Sequence, residues 1–200
     1  MRRGFLVIRL LALAVLCGLF TPQVFAQAQT PVTAGETPPP VSIDLPFMEN
    51  LSDVSRDLAG MKERKIPMLL FIHASYCGYC QWVDENFIQP MVNDPAYQGK
   101  IIVRRIEIDA EGSILDRDGK EESNRHFADR MGVRLVPVVA FFGPDGKEIG
   151  DPINGVTVQD FYPYYFQQGI ELAEACAKNP DPEKCIPNEK NGKKKDQRSL

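Results

Sequence analysis

Met68-Leu69-Leu70-Phe71-Ile72-His73-Ala74-Ser75-Tyr76-Cys77-Gly78-Tyr79-Cys80 is the stretch that decides the fold. Its first five residues are a continuous apolar run of the kind a strand covered on both faces shows. Gln81 to Gln89 then reads as helix, with Val83, Phe87 and Met91 on one face and Asp84, Glu85 and Gln89 on the other. The two thiols therefore stand at a strand-to-helix turn. There the first sulfur meets unpaired backbone N–H groups and the positive end of the helix dipole, both of which favour a thiolate. Cys80 lies one turn further along, within reach of a mixed disulfide formed on Cys77. The pair can attack and then release, which makes Cys77 and Cys80 the candidate catalytic residues.

Two blander readings compete. Cysteines three apart can be half of a zinc site, but no second CxxC and no HxxxH accompanies them, and the only histidines are His73 and His126. An inert structural disulfide is the other, although so short a loop gains little from chain restriction and tends to be reducible.

Working outward, residues 1–26 have the layout of a secretory signal. Arg2 and Arg3 come first, an apolar stretch runs from Leu10 to Phe20, and Val24-Phe25-Ala26 puts small residues at a cleavage site. Cleavage is expected after Ala26 or Ala28; the rival, an uncleaved anchor, is disfavoured by the short apolar core and Pro22. Cys17 leaves with that segment, which also carries three arginines and no acid, so the formal charge moves from −4 to about −7. Such a balance argues against a nucleic-acid partner. Four cysteines remain in a chain destined for an oxidising space, where disulfides persist.

Residues 27–46, with Pro38-Pro39-Pro40, are expected to be a flexible lead, and residues 188–200 a disordered basic tail. The roughly 170 residues that follow the signal suffice for one domain with a proper core. Phe47, Leu51, Val54, Leu58 and Met61 recur at helical steps and predict a helix with all five on one stripe. Ile101 to Ile108 is a second strand; residues 110–123 read as a loop or hairpin; Ser123 to Met131 reads as helix closed by Gly132. Val133 to Phe142 is a third apolar run, interrupted by Pro137, and Pro144-Asp145-Gly146 turns it into a hairpin with Lys147 to Gly150. Val158 to Lys178 is the last long helix, with Pro163 in its first turn. Cys176 and Cys185 flank Asn179-Pro180-Asp181-Pro182 and are expected to form a structural disulfide worth about 2–3 kcal/mol. A second redox pair is the rival there, without a strand-to-helix turn to activate either sulfur.

A CxxC on a strand-to-helix turn, an apolar strand, a helix and Val136-Pro137 leading into a hairpin resemble the thioredoxin family along residues 47–175. The insertion before Arg130-Met131-Gly132-Val133-Arg134 and the segment Phe142-Gly143-Pro144-Asp145-Gly146-Lys147-Glu148 look most like periplasmic thioredoxin-like proteins of the SoxW type. The resemblance implies an α/β thioredoxin fold over residues 47–187, a central mixed sheet flanked by helices, here with a C-terminal extension stapled by Cys176 and Cys185. It further implies a cis Val136-Pro137 bond beside the cysteines, with Gly78, Tyr79, Val136 and Pro137 shaping a substrate groove; the rival is an ordinary trans proline on an edge strand. Two departures stand out. The family's buried acid falls on Phe71, and His73 replaces an aromatic residue, where it either tunes the thiolate as a cation or is simply satisfied at the strand's end. Arg105 falls near a family lysine.

These readings converge on a periplasmic thiol:disulfide oxidoreductase, and the resemblance alone implies that it works in the reducing direction. Its expected partners are exported proteins with disulfides or oxidised cysteines and a membrane thiol electron donor. It needs no cofactor and no metal, and it is expected to be a monomer. A disulfide isomerase or oxidase is the enzymatic rival, and the Gly78-Tyr79 dipeptide resembles periplasmic isomerases more than thioredoxin. A non-catalytic metal-binding protein using Cys77, Cys80 and His73 is the rival of another class.

Overall fold

Met68–His73 is buried along its whole length, because even-numbered residues face one layer of helices and odd-numbered residues the other. The computed structural model describes residues 45–179, 181–186 and 198–200. The expected signal segment, cleavage sites and nearly all of the lead lie outside the described residues.

The chain runs β1 (Met48–Asn50), α1 (Val54–Arg64), β2 (Met68–His73) and α2 (Gly78–Val83), a π-helical turn (Asp84–Ile88), α3 (Gln89–Asn93) and β3 (Ile102–Glu107). It continues through the hairpin β4 (Ser113–Leu115) and β5 (Glu121–Ser123) to α4 (Asn124–Arg130), β6 (Val138–Phe142) and β7 (Glu148–Asn154). A 3₁₀ turn, α5 (Tyr162–Lys178) and the short α6 (Pro182–Cys185) complete it. The main sheet has the order β1-β3-β2-β6-β7. β1, β3 and β2 are parallel, and β6 and β7 are antiparallel to their neighbours, so the sheet is mixed as expected.

One sheet face carries α1 and α4, with Val54, Met61 and Phe127 packed on Met68, Leu70 and Ile72. On the other, the α2–α3 segment and α5 bring Val83, Ile88, Met91 and Phe166 onto Leu69 and Phe71. A ring cluster of Trp82, Phe87, Tyr162 and Phe166, with successive centroids 4.8–6.4 Å apart, ties α5 to the helix that carries the cysteines. Gly169 allows that approach: a Cβ there would lie 2.2 Å from the Phe141 ring.

Several expectations are corrected. The five-residue stripe beginning at Phe47 is not one helix. Asp53 caps α1 by accepting the Arg56 N–H at 2.9 Å, while the residues before it pair with β3 as a strand. Phe47 and Leu51 therefore reach the core from outside the helix, and Asp57 and Gly60 occupy its buried face beside Val54 and Met61. The helix after the cysteines starts at Gly78 and runs through a π-turn to Asn93, and the extra residue in that turn brings Ile88 inward.

At the ends, Leu45 is buried and Pro46 accepts a hydrogen bond, so the last two residues of the expected lead, 45 and 46, are packed on the domain. Arg198–Leu200 is likewise not loose tail. Its backbone pairs with Gly146 and Glu148, Leu200 enters the core, and the Arg198 guanidinium binds the buried Glu148 carboxylate and the Met131 carbonyl. The tail from 188 to 197 lies outside the described residues. Cys176 and Cys185 form the expected disulfide, with Cα atoms 5.9 Å apart, which fastens α6 to the end of α5.

Candidate redox site

Parallel pairing of β2 with β3 sets the approach to the cysteines. His73 stands opposite Glu107, so the chain two residues on brings Ser75 beside Asp109. The Asp109 carboxylate accepts the Ser75 backbone N–H at 3.0 Å and the Ser75 hydroxyl. These bonds hold its pKa below the usual carboxylate range. The Cys77 N–H then bonds the Ala74 carbonyl at 3.2 Å, which closes the turn before α2. Sequence reading passed over Asp109; its only signal was its place just beyond the end of a strand neighbouring β2.

Cys77 is the N-cap of α2, and its sulfur accepts the Cys80 N–H at 3.1 Å. That is the cap geometry in which a thiolate is held by an N–H that would otherwise lack an acceptor. Cys77 and Cys80 are joined as a disulfide, with Cα atoms 5.1 Å apart. Cys77 is half-buried, whereas Cys80 is 2 % exposed. The Val136–Pro137 peptide bond is cis, and the Val136 carbonyl oxygen lies 3.7 Å from Cys77 Sγ. Gly78, Tyr79 and Val136 line the cleft beside Cys77, the first two exposed and Val136 half-buried, and Pro137 is buried next to Val136.

Residues 49–144 match the family model for thioredoxin-like proteins. The fold is that of thioredoxin. No curated protein sequence matches the chain. Among solved structures, a thioredoxin-fold protein from Helicobacter pylori is similar at 15 % identity and a TM-score of 0.45, over 60 % of this chain and 77 % of that one. A thioredoxin from Thermus thermophilus is similar at 16 % identity and a TM-score of 0.43, over 66 % and 97 %. A structure titled DsbH oxidoreductase is similar at 15 % identity and a TM-score of 0.45, over 68 % and 92 %.

Phe71, six residues before Cys77, is fully buried, with the Arg105 guanidinium 5.8 Å from its ring centroid. Arg105 also pairs with Asp84 at 3.3 Å, one helical turn past Cys80.

His73 stacks on Phe71 with centroids 4.9 Å apart and is 8 % exposed. Burial, aided by the Arg105 charge and opposed by Asp84 and Asp109, pushes its pKa down to about 4. The ring is therefore neutral near pH 7, and His73 is not the cation that electrostatic tuning requires. Because the folded pKa lies below the unfolded value of 6.5, the unfolded chain binds the extra proton between those limits. Stability is full above about pH 6.5 and falls as pH drops towards 4. Urea midpoints should show the wild type losing about 1–2 kcal/mol from pH 7.5 to pH 5 through this residue. His73→Phe should lose less over that interval by the same amount; equal slopes would refute the assignment.

Among the described residues no three His, Cys, Asp or Glu side chains are grouped to hold a metal ion, His73 with the two cysteines included. A cleft of about 360 Å³ opens beside Cys77. A larger one of about 940 Å³, between β7 and α5, has neither cysteine nor histidine in its wall.

Proposed function

We propose that this protein is a periplasmic thiol:disulfide oxidoreductase of the SoxW type, acting on the cysteines of exported proteins in the reducing direction. The observation that carries it is the asymmetry of the pair. A half-buried Cys77 caps a helix and can be reached from the groove, while a buried Cys80 can be reached only by Cys77. The exposed Tyr76, Tyr79 and Leu135 around Cys77 give an extended polypeptide an apolar collar to lie against. The signal-like residues 1–26 and the second disulfide support export, and with it recharging by a membrane thiol donor. The working unit is a monomer.

The direction is tested by the reduction potential of Cys77–Cys80, measured by equilibration with thiol buffers in a Cys176→Ala/Cys185→Ala background. A value near about −270 mV is expected for a reductase. A value near about −120 mV would reverse the direction and favour the oxidase or isomerase reading.

A further inference from the structure

The cleft beside Cys77 has one sign of charge. Arg125, from the first turn of α4, and Arg134, from the loop before Pro137, both line it, and no Asp or Glu does. Both side chains are exposed, and neither makes a hydrogen bond or ion pair with another described residue. Their neighbour Arg130 behaves differently: it is tied to Glu122 at 2.5 Å. In a chain with 27 acidic and 23 basic residues, two untied guanidiniums on the wall that holds the attacking sulfur are poorly explained by folding. Guanidinium groups present planar donors matched to carboxylates, and a cleft concentrates their field.

We propose that this cleft selects disulfides carrying carboxylates next to the sulfur, with Arg125 and Arg134 as the residues that set the preference. The proposal rests on reading Cys77 as the attacking thiol. In the reduced protein the Cys77 thiolate attacks one substrate sulfur. A Cys77–substrate S–S bond forms as the substrate's own bond breaks, and the departing thiolate takes up a proton. Cys80, losing its proton to solvent, then attacks Cys77 Sγ and frees the second substrate thiolate, which is protonated in turn. The substrate gains two electrons and two protons, and the dithiol becomes the disulfide. The arginines hold the substrate's carboxylates through both steps.

The test uses the mature chain, reduced and freed of reductant, against three small disulfides: anionic 3,3′-dithiodipropionate, cationic cystamine and neutral 2-hydroxyethyl disulfide. Each rate is divided by that disulfide's rate with dithiothreitol, which removes intrinsic reactivity. A parallel arm uses disulfide-linked peptide pairs flanked by Asp or by Lys. At low ionic strength the anionic member should be favoured about tenfold over the cationic one, and the ratio should shrink towards one in about 0.5 M salt. Arg125→Gln/Arg134→Gln should abolish the ratio, Arg125→Lys/Arg134→Lys should keep most of it, and Lys62→Gln, on an exposed face of α1, should leave it intact. Preference in both arms supports the carboxylate itself as the recognised group, and preference among the peptides alone supports a polypeptide source. Absence of preference in both arms, or preference that survives the double glutamine variant, overturns the proposal. Failure to react with any disulfide would instead overturn the redox reading beneath it.

Discussion

Cys80→Ala should accumulate a covalent mixed disulfide with its substrate, and Cys77→Ala should form none. The prediction follows from the difference in access: Cys77 opens onto the groove, whereas Cys80 is 2 % exposed behind it. Without Cys80, release depends on a thiol from solution. The lost neighbour was held at an effective concentration that for well-oriented groups reaches on the order of 10⁵ M, so turnover should fall about a thousandfold or more. Without Cys77, the remaining sulfur is buried and lies inside the helix rather than at its cap. Non-reducing gels and intact-mass measurement after incubation with a disulfide substrate read both outcomes. Trapping by Cys77→Ala and not by Cys80→Ala would make Cys80 the outer nucleophile and exchange the roles, and equal trapping would mean that both sulfurs are open to substrate. Adducts in neither variant would remove the redox reading altogether.

How much of this could be read from the sequence depended on how local the signal was. Met68–His73 declares itself through an unbroken apolar run, the cysteines through their spacing, and Gly132 by ending α4 at a positive φ of 73°. Pro137 stood out because proline is foreign to a buried strand; only the resemblance to thioredoxin gave its cis geometry and its place against Cys77. β1 left no trace, since three residues, Met48-Glu49-Asn50, become a strand only by pairing with β3 some 55 positions later. The π-turn at Asp84–Ile88 was hidden because a five-residue step between Val83 and Ile88 mimics a break in periodicity. Polar partners were the least visible: Glu148 and Arg198 lie 50 residues apart, Ser75 and Asp109 lie 34 apart, and each looks like ordinary surface until the fold joins them. Arg125 and Arg134 were likewise invisible as a pair until α4 and the loop before Pro137 met at one cleft.

Arg104 is the extreme case, and its replacement should be the most destabilising single change outside the apolar core. On β3 it occupies an inward position where the sequence pattern expects an isoleucine, and it is fully buried. Its side chain is nevertheless completely satisfied. Nε and Nη2 bind the two Asp57 carboxylate oxygens at 2.6 and 3.0 Å, and Nη1 donates to the Pro46 and Val103 carbonyls at 3.0 and 2.9 Å. Glu49 adds an ion pair at 3.3 Å.

The group thus joins α1, β1 and β3 under one face of the sheet. Arg104→Met would leave the buried Asp57 charge to Arg56 alone, which is 3.1 Å away and partly exposed. Orphaning one member of a buried pair costs about 3–5 kcal/mol, against a total stability of about 5–15 kcal/mol for a domain. Asp57→Leu/Arg104→Met removes both charges and should recover much of that loss, because no uncompensated ion then remains buried. Urea midpoints for the two variants at pH 7 decide it. If Arg104→Met falls within about 1 kcal/mol of wild type, the network contributes no more than a surface pair does, and the anchoring of β1 must lie elsewhere.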